Sequence, residues 1–163
     1  MIDFFITNLF VDRNINECHN HIFMKGCRFC SLAGTKDNYI IFENNDTIAV
    51  LDNKPLSRGH FLVIPKTHRD NLSDMPKAEF LELVGIVNEL SLKVCKILNA
   101  DGVNIAINSG LAAGQQVDHL HVHVIPRYRG DNLLIGAVNR NVENDIKNLL
   151  DTYKLVSAFK PSP

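Results

Sequence analysis

The stretch His119-Leu120-His121-Val122-His123-Val124-Ile125 alternates histidine with aliphatic residues. A two-residue period of this kind belongs to an extended strand, where successive side chains point to opposite faces. His119, His121 and His123 then share one face, and Leu120, Val122 and Val124 share the other. The aliphatic face has to pack on a core, so the histidine face lines a site. Half-buried strands often alternate polar and apolar residues. Three consecutive polar positions filled by the residue that binds metals and moves protons near neutral pH form a much narrower pattern.

The rest of the chain supplies partners for this strand, which the sequence closes at Pro126. Tyr39-Ile40-Ile41-Phe42-Glu43 and Thr47-Ile48-Ala49-Val50-Leu51 are short β-branched and aromatic runs separated by the turn signal Asn44-Asn45-Asp46, a hairpin pattern. Pro55 and Gly59 break the chain before a buried strand at His60-Phe61-Leu62-Val63-Ile64. From about Pro76 to Asn99, Phe80, Val84, Val87, Leu90, Val94 and Leu98 recur at helical spacing. Ser73 or Asp74 is the expected cap, and Asp101-Gly102 follows the helix end. A strand at Val103–Ile107, a small-residue loop at Gly110–Gly114 and a second helix over about Val138–Tyr153 complete an α+β pattern. Residues 1–25 follow no periodic template and read as an N-terminal extension to a domain over 26–163.

A chain of 163 residues and 18.3 kDa is the size of one domain and needs no disulfides to hold a core. Its net charge of −1 argues against a nucleic-acid-coating role. Its longest apolar runs fall well short of the roughly 20 residues of a membrane helix. The start has no basic leader and carries Asp3, so a cytoplasmic protein is expected. In that setting Cys27-x-x-Cys30 points to a metal or redox site. A redox dithiol is disfavoured because no thioredoxin-like βαβ pattern follows. Two thiolates so spaced can occupy two corners of a zinc tetrahedron. His68 and His119 are available for the others, and Cys18, His19 and His21 lie close enough in sequence to compete. Cys95 fits packing within the long helix. Upstream of the histidines, the Gly110–Gly114 loop with Gln115 and Gln116 is a candidate anion cradle. From spacing alone, the three histidines could also ligate one catalytic metal.

The segment Gly114-Gln115-x-Val117-x-His119-x-His121-x-His123-Val124-Ile125-Pro126-Arg127 resembles the signature of the histidine triad (HIT) superfamily. The likeness extends to Leu51-Asp52-x-x-Pro55-x-x-x-Gly59-His60-x-Leu62-Val63-Ile64-Pro65-Lys66-x-His68 and to Cys27-x-Phe29-Cys30, covering about Gly26 to Asp131. It implies a five-stranded antiparallel sheet with one long and one shorter helix, usually in a homodimer. It also implies a purine nucleotide conjugate as substrate, cleaved at its α-phosphate through a covalent nucleotidyl-histidine. On this match His121 is the nucleophile. His123 and Gln115 contact the phosphate, Asn108 supports it and His60 neighbours the triad. Asp52 holds the ribose, and Phe29, Leu32 and Leu51 form the wall against the base. The zinc-bearing branch corresponds to a structural site at Cys27, Cys30, His68 and His119. Gln116 stands where many members carry Ser or Thr near the leaving group, leaving a dinucleoside polyphosphate and a nucleoside phosphoramidate both open. Arg127 and Arg129 are either extra phosphate ligands or solvated surface charge. A nucleotide-binding regulator with incidental catalysis is the alternative function.

Overall fold

The computed structural model describes residues 26–32, 39–133 and 146–157. The N-terminal extension, Cys18, His19, His21, the expected first part of the second helix over 138–145 and the Pro161-Ser162-Pro163 tail lie outside the described residues. The strands are β1 (Ile40–Glu43), β2 (Thr47–Leu51), β3 (Phe61–Pro65), β4 (Gly102–Ile107) and β5 (Val122–Arg127). They form one five-stranded antiparallel sheet in the order β1-β2-β3-β5-β4. The long helix α1 (Lys77–Leu98) and the shorter α2 (Ile146–Ser157) complete the expected α+β architecture. Among the described residues no helix is long and apolar enough to cross a membrane.

Local chemistry explains the connections. Asn44 turns the first hairpin, its side-chain oxygen accepting from the backbone N–H of Asp46 (3.0 Å) and Thr47 (2.7 Å). Gly59 holds φ +82°, and a Cβ there would lie 2.2 Å from a methyl of Leu98. The turn into β3 therefore needs glycine for both its backbone and its contact with the end of α1.

The helix start differs from the expectation. Neither Ser73 nor Asp74 caps α1. Asn71 instead caps a single 3-10 turn at Leu72–Asp74, accepting from the Ser73 N–H. Met75, preceding Pro76, is held extended (φ −91°, ψ 120°), so the helix begins only after the proline. At the other end Asn99, in the left-handed conformation (φ 53°), does the terminating work expected of Asp101-Gly102.

The sheet has two distinct faces. Ala49, Leu51, Phe61, Val63, Leu120, Val122 and Val124 point towards the helices and pack with Leu83, Val87, Leu90, Val94 and Leu98. Ile48, Val50, Leu62 and Ile64 point the other way and pack with Phe29. The histidine run behaves as its alternation requires, although the paired strand starts at Val122 and continues through Pro126 to Arg127. Because β5 lies between β3 and β4, His123 is paired on both sides, opposite Leu62 in β3 and Ala106 in β4. In α1 the buried stripe passes through Leu83 (1% exposed), not Val84 (40% exposed). Leu83→Ala should therefore cost roughly 2–5 kcal/mol of stability, and Val84→Ala less than about 1 kcal/mol. Urea unfolding of the two variants checks this, and equal losses would contradict the placement.

Candidate functional site

Four histidines cluster on the sheet face opposite the helices or just beyond its edge: His60, His119, His121 and His123. His68, after the end of β3, stacks edge-on against His119 at 4.8 Å. A buried imidazole must satisfy two nitrogens of opposite character, one donor and one acceptor when neutral. The partners of each ring therefore reveal which nitrogen holds the proton.

His119, fully buried, directs Nε2 to the Pro65 carbonyl at 2.8 Å, a contact in which the ring must donate. Its Nδ1 lone pair then faces the Cys27 and Cys30 sulfurs at 3.4 and 3.6 Å. His68 repeats the arrangement, with Nε2 donating to Asp70 Oδ1 at 2.7 Å and Nδ1 3.3 Å from Cys30 Sγ. The ligand atoms of Cys27, Cys30, His68 and His119 all lie within 4.8 Å of one another. Zinc bonds of about 2.0–2.3 Å in a tetrahedron separate donor atoms by roughly 3.3–3.8 Å, and the sulfur–nitrogen distances match. The outward hydrogen bonds to Pro65 and Asp70 also present both rings in the metal-binding tautomer. The residues thus fit a closed Cys₂His₂ zinc site. Burial pushes His119 down to about 4, so its Nδ1 is unprotonated at neutral pH.

His121 donates from Nδ1 to the His119 carbonyl at 2.8 Å. Its Nε2 therefore keeps a lone pair. The Phe29 ring meets it edge-on at 5.1 Å and helps set its orientation. Burial holds His121 below the ordinary imidazole range.

His123 takes part in a directional chain. The Leu56 backbone N–H donates to His60 Nδ1 at 3.1 Å, which obliges His60 to carry its proton on Nε2. That proton is donated to His123 Nδ1 at 3.1 Å, leaving His123 with an Nε2–H donor. Asp52 Oδ2 is farther from His60 Nδ1, at 3.8 Å, and Asp52 Oδ1 accepts the Lys54 N–H. Burial lowers the pKa of both rings, His123 to about 4. The site therefore offers an unprotonated nitrogen on His121 beside a neutral N–H donor on His123, the two rings 4.9 Å apart. The three alternating histidines do not converge on one metal, because His119 faces the cysteines, His121 holds its own strand and His123 holds His60. Asp52, His60 and His123 also lie close enough to ligate an ion. Both His60 nitrogens are already engaged, so an ion there would break that chain.

Phe29, Leu32 and Val117 line an apolar wall with Ile48, Val50, Leu62 and Ile64. Leu51, expected in that wall, packs instead on the helix side. All five residues of β2 are buried, and Val50 takes the place that the family likeness assigned to Leu51. Asn108 is half-buried just past β4, and Gln116 is exposed. Gln115 is buried but engaged at both ends: Nε2 donates to the Asp70 and Val117 carbonyls, and Oε1 accepts from the Gly110 N–H. Its amide thus braces the loop in place of reaching outward as the expected phosphate donor. The N–H groups of Ala113, Gly114 and Gln115 are likewise bonded within the loop, which removes them from an anion cradle. Arg127 is engaged with Asp131, Asn104 and the Leu133 carbonyl, and Arg129 is 93% exposed beside Asp101, so neither is poised on a phosphate. Cys95 lies on α1 with its Sγ towards the Gly102 carbonyl.

The sequence reading missed Asp70 and the backbone groups of Leu56 and Pro65. Asp70, two residues after a candidate ligand histidine, carried a readable signal as a carboxylate partner. The Leu56 and Pro65 groups belong to the main chain, which composition does not mark.

Comparison with known proteins places this geometry. The HIT domain family profile matches residues 33–130. An uncharacterized HIT-like protein of Methanocaldococcus jannaschii is 38% identical over 122 residues, covering 73% of this chain and 93% of that protein. The adenylylsulfatase HINT3 of Arabidopsis thaliana is 35% identical over 108 residues, covering 66% of this chain and 55% of the plant protein. A crystal structure of a Zn-bound histidine triad family protein from Mycobacterium smegmatis superposes with a TM-score of 0.64 at 36% identity, covering 82% of this chain and 91% of that one. With the sheet order, the histidine run and the matched residues in agreement, this chain belongs to the HIT family.

Proposed function

We propose that this chain is a nucleotide hydrolase or transferase that cleaves a purine nucleotide conjugate at its α-phosphate through a nucleotidyl adduct on His121. The observation that carries this reading is the fixed tautomer of His121, whose Nδ1–H is held by the His119 carbonyl while Nε2 keeps its lone pair. In the first step Nε2 attacks phosphorus, the P–N bond forms and the bond to the leaving group breaks. Charge builds on the nonbridging oxygens, and the His123 Nε2–H is a pre-oriented donor for it. Water then attacks phosphorus, releases its proton and displaces His121, giving a nucleoside monophosphate. The Phe29 and Leu32 wall suits a purine, and Asp52 supplies an acceptor for ribose hydroxyls. A similar protein named adenylylsulfatase supports an adenylyl donor. A dinucleoside polyphosphate and a nucleoside phosphoramidate remain the candidate substrates, in a cytoplasmic enzyme whose working domain spans 26–163.

The test is intact-protein mass spectrometry after brief mixing with a dinucleoside tetraphosphate or an adenosine phosphoramidate, quenched at neutral to basic pH. A nucleoside-monophosphate adduct is expected on the wild type and not on His121→Ala. That variant should lose activity by roughly four orders of magnitude while still binding nucleotide. Nucleotide binding without adduct or product would favour the regulatory alternative.

The neutral state of His123 also has a pH signature. Burial is the main cause of its low pKa, the neighbouring His60 and His121 add to it, and Asp52 opposes it. In the unfolded chain the ring titrates near 6.5 and in the folded chain near 4. Stability from the neutral ring is therefore complete above about pH 6.5 and declines as pH falls towards 4. The urea midpoint of the wild type should drop more steeply over that interval than the midpoint of His123→Asn. Parallel curves would contradict a neutral, partly buried His123.

Zinc in this reading is structural, held by Cys27, Cys30, His68 and His119, and supplies no catalytic step. A homodimer fits the outer edge of β4, where Ile105 is 51% exposed and a second β4 can pair. Native mass spectrometry should report twice the 18.3 kDa chain mass with one zinc per chain. Cys30→Ser should lose the metal, and retention of full zinc content would contradict the ligand set.

A further inference from the structure

The segment from Pro65 to Leu72 touches both the zinc-site residues and the 110–117 loop that leads to His121. Pro65 accepts from the ring of His119, and the Arg69 carbonyl accepts from the Leu120 N–H at 2.5 Å. His68 is a zinc-site residue, and its Nε2 donates to the Asp70 carboxylate at 2.7 Å. The main-chain carbonyl of that same Asp70 accepts from Gln115 Nε2 at 2.5 Å. The other end of Gln115 accepts from the Gly110 N–H at 2.7 Å, where the loop takes its first left-handed turn (φ +89°). The Leu72 N–H donates to Ser109 Oγ at 3.2 Å, a second tie from the same segment. A path of consecutive contacts therefore runs from His68 through Asp70 and Gln115 into the loop that leads to His121. Gln115 is 6% exposed, and each of its amide groups has a partner.

We propose that zinc and nucleotide binding are thermodynamically linked in this chain, and that Asp70 and Gln115 are the positioning residues that carry the linkage. Zinc held by His68 fixes Asp70 through the second ring nitrogen. Asp70 in turn fixes Gln115, and Gln115 fixes the fold of the 110–117 loop beside the site. Removing the metal releases His68, and with it the carbonyl on which Gln115 rests. By reciprocity, whatever factor zinc contributes to nucleotide affinity, nucleotide contributes to zinc affinity. The proposal rests on the reading of the site as nucleotide-binding, but one arm of its test needs no nucleotide.

The first arm is amide hydrogen exchange on the full chain during a zinc titration. In the wild type, protection of residues 110–117 should rise with zinc while that of β2 and β3 is nearly constant. In Gln115→Leu, which keeps similar bulk but lacks both hydrogen-bonding groups, zinc should bind without protecting the loop. Equal zinc-dependent protection in wild type and variant would overturn the proposal. So would loss of protection throughout the sheet without zinc, since the metal would then be holding the whole fold. The second arm measures adenosine monophosphate binding by calorimetry and zinc release to a chromophoric chelator. Zinc should tighten the nucleotide by roughly five- to a hundredfold, and the nucleotide should slow zinc release in the wild type and not in Gln115→Leu. Asp70→Asn should weaken zinc by roughly ten- to a hundredfold. Nucleotide affinity independent of zinc would overturn the linkage. Failure of any form to bind nucleotide would instead sink the functional reading and leave the exchange arm to decide the coupling.

Discussion

The hydrogen bond from His121 Nδ1 to the carbonyl of His119 is the contact on which the site depends. It joins two histidines of the run that leads into β5, using the main chain of the first to set the protonation of the second. A free imidazole exchanges between two tautomers, and only one leaves a lone pair at the outward nitrogen. The carbonyl removes that choice. The condition for its doing so is that the backbone at His119 be immobile. Its ring is fully buried, its Nε2 is tied to Pro65, and its Nδ1 faces the two cysteines. The Cys₂His₂ cluster, through the His119 backbone, thus bears on the tautomer of His121.

The same economy of donors and acceptors extends across the sheet. The Leu56 N–H sets His60, and His60 sets His123. The outcome is opposite for the two outward nitrogens: His121 presents an acceptor and His123 a donor. Burial keeps both rings neutral, which is what makes the alternation of donor and acceptor meaningful. A protonated His123 would have no lone pair for His60, and two N–H groups would face each other in a partly buried contact. The hydrogen-bond chain and the depressed pKa therefore support one another.

Much of this was legible in the sequence, for reasons that also explain the gaps. The faces of His119, His121 and His123 follow from the two-residue period, and the hairpin from a turn signal between two strand-like runs. The family likeness assigned Leu51 to the apolar wall, whereas the alternation along β2 turns Leu51 to the helix side and Val50 to the wall. In α1 both Leu83 and Val84 lie at helical spacing from Val87, and only the sheet beneath decides between them. The helix start was misplaced because Asn71, Met75 and Pro76 together set it, while Ser73 and Asp74 merely resemble caps. The cysteine spacing was readable on its own terms and left His68 and His119 among several available partners, and the family likeness singled out the full zinc set.

Gln115 marks the deepest limit of a sequence reading. Glutamine carries two donors and an acceptor, and beside a row of histidines it reads as a ligand for phosphate. In the folded chain those groups face inward, bridging the segment after β3 to the loop before β5. A buried amide with an unfilled donor would be costly, so the loop closes on Gln115 and the carbonyl of Asp70 closes on the loop. The glycine-rich segment is then a braced turn, not an open cradle, and the outward donor identified beside His121 is the Nε2–H of His123. The outward N–H beside His121 consequently rests on the tautomer of one imidazole, His123, fixed by the ring of His60 from the residue before β3.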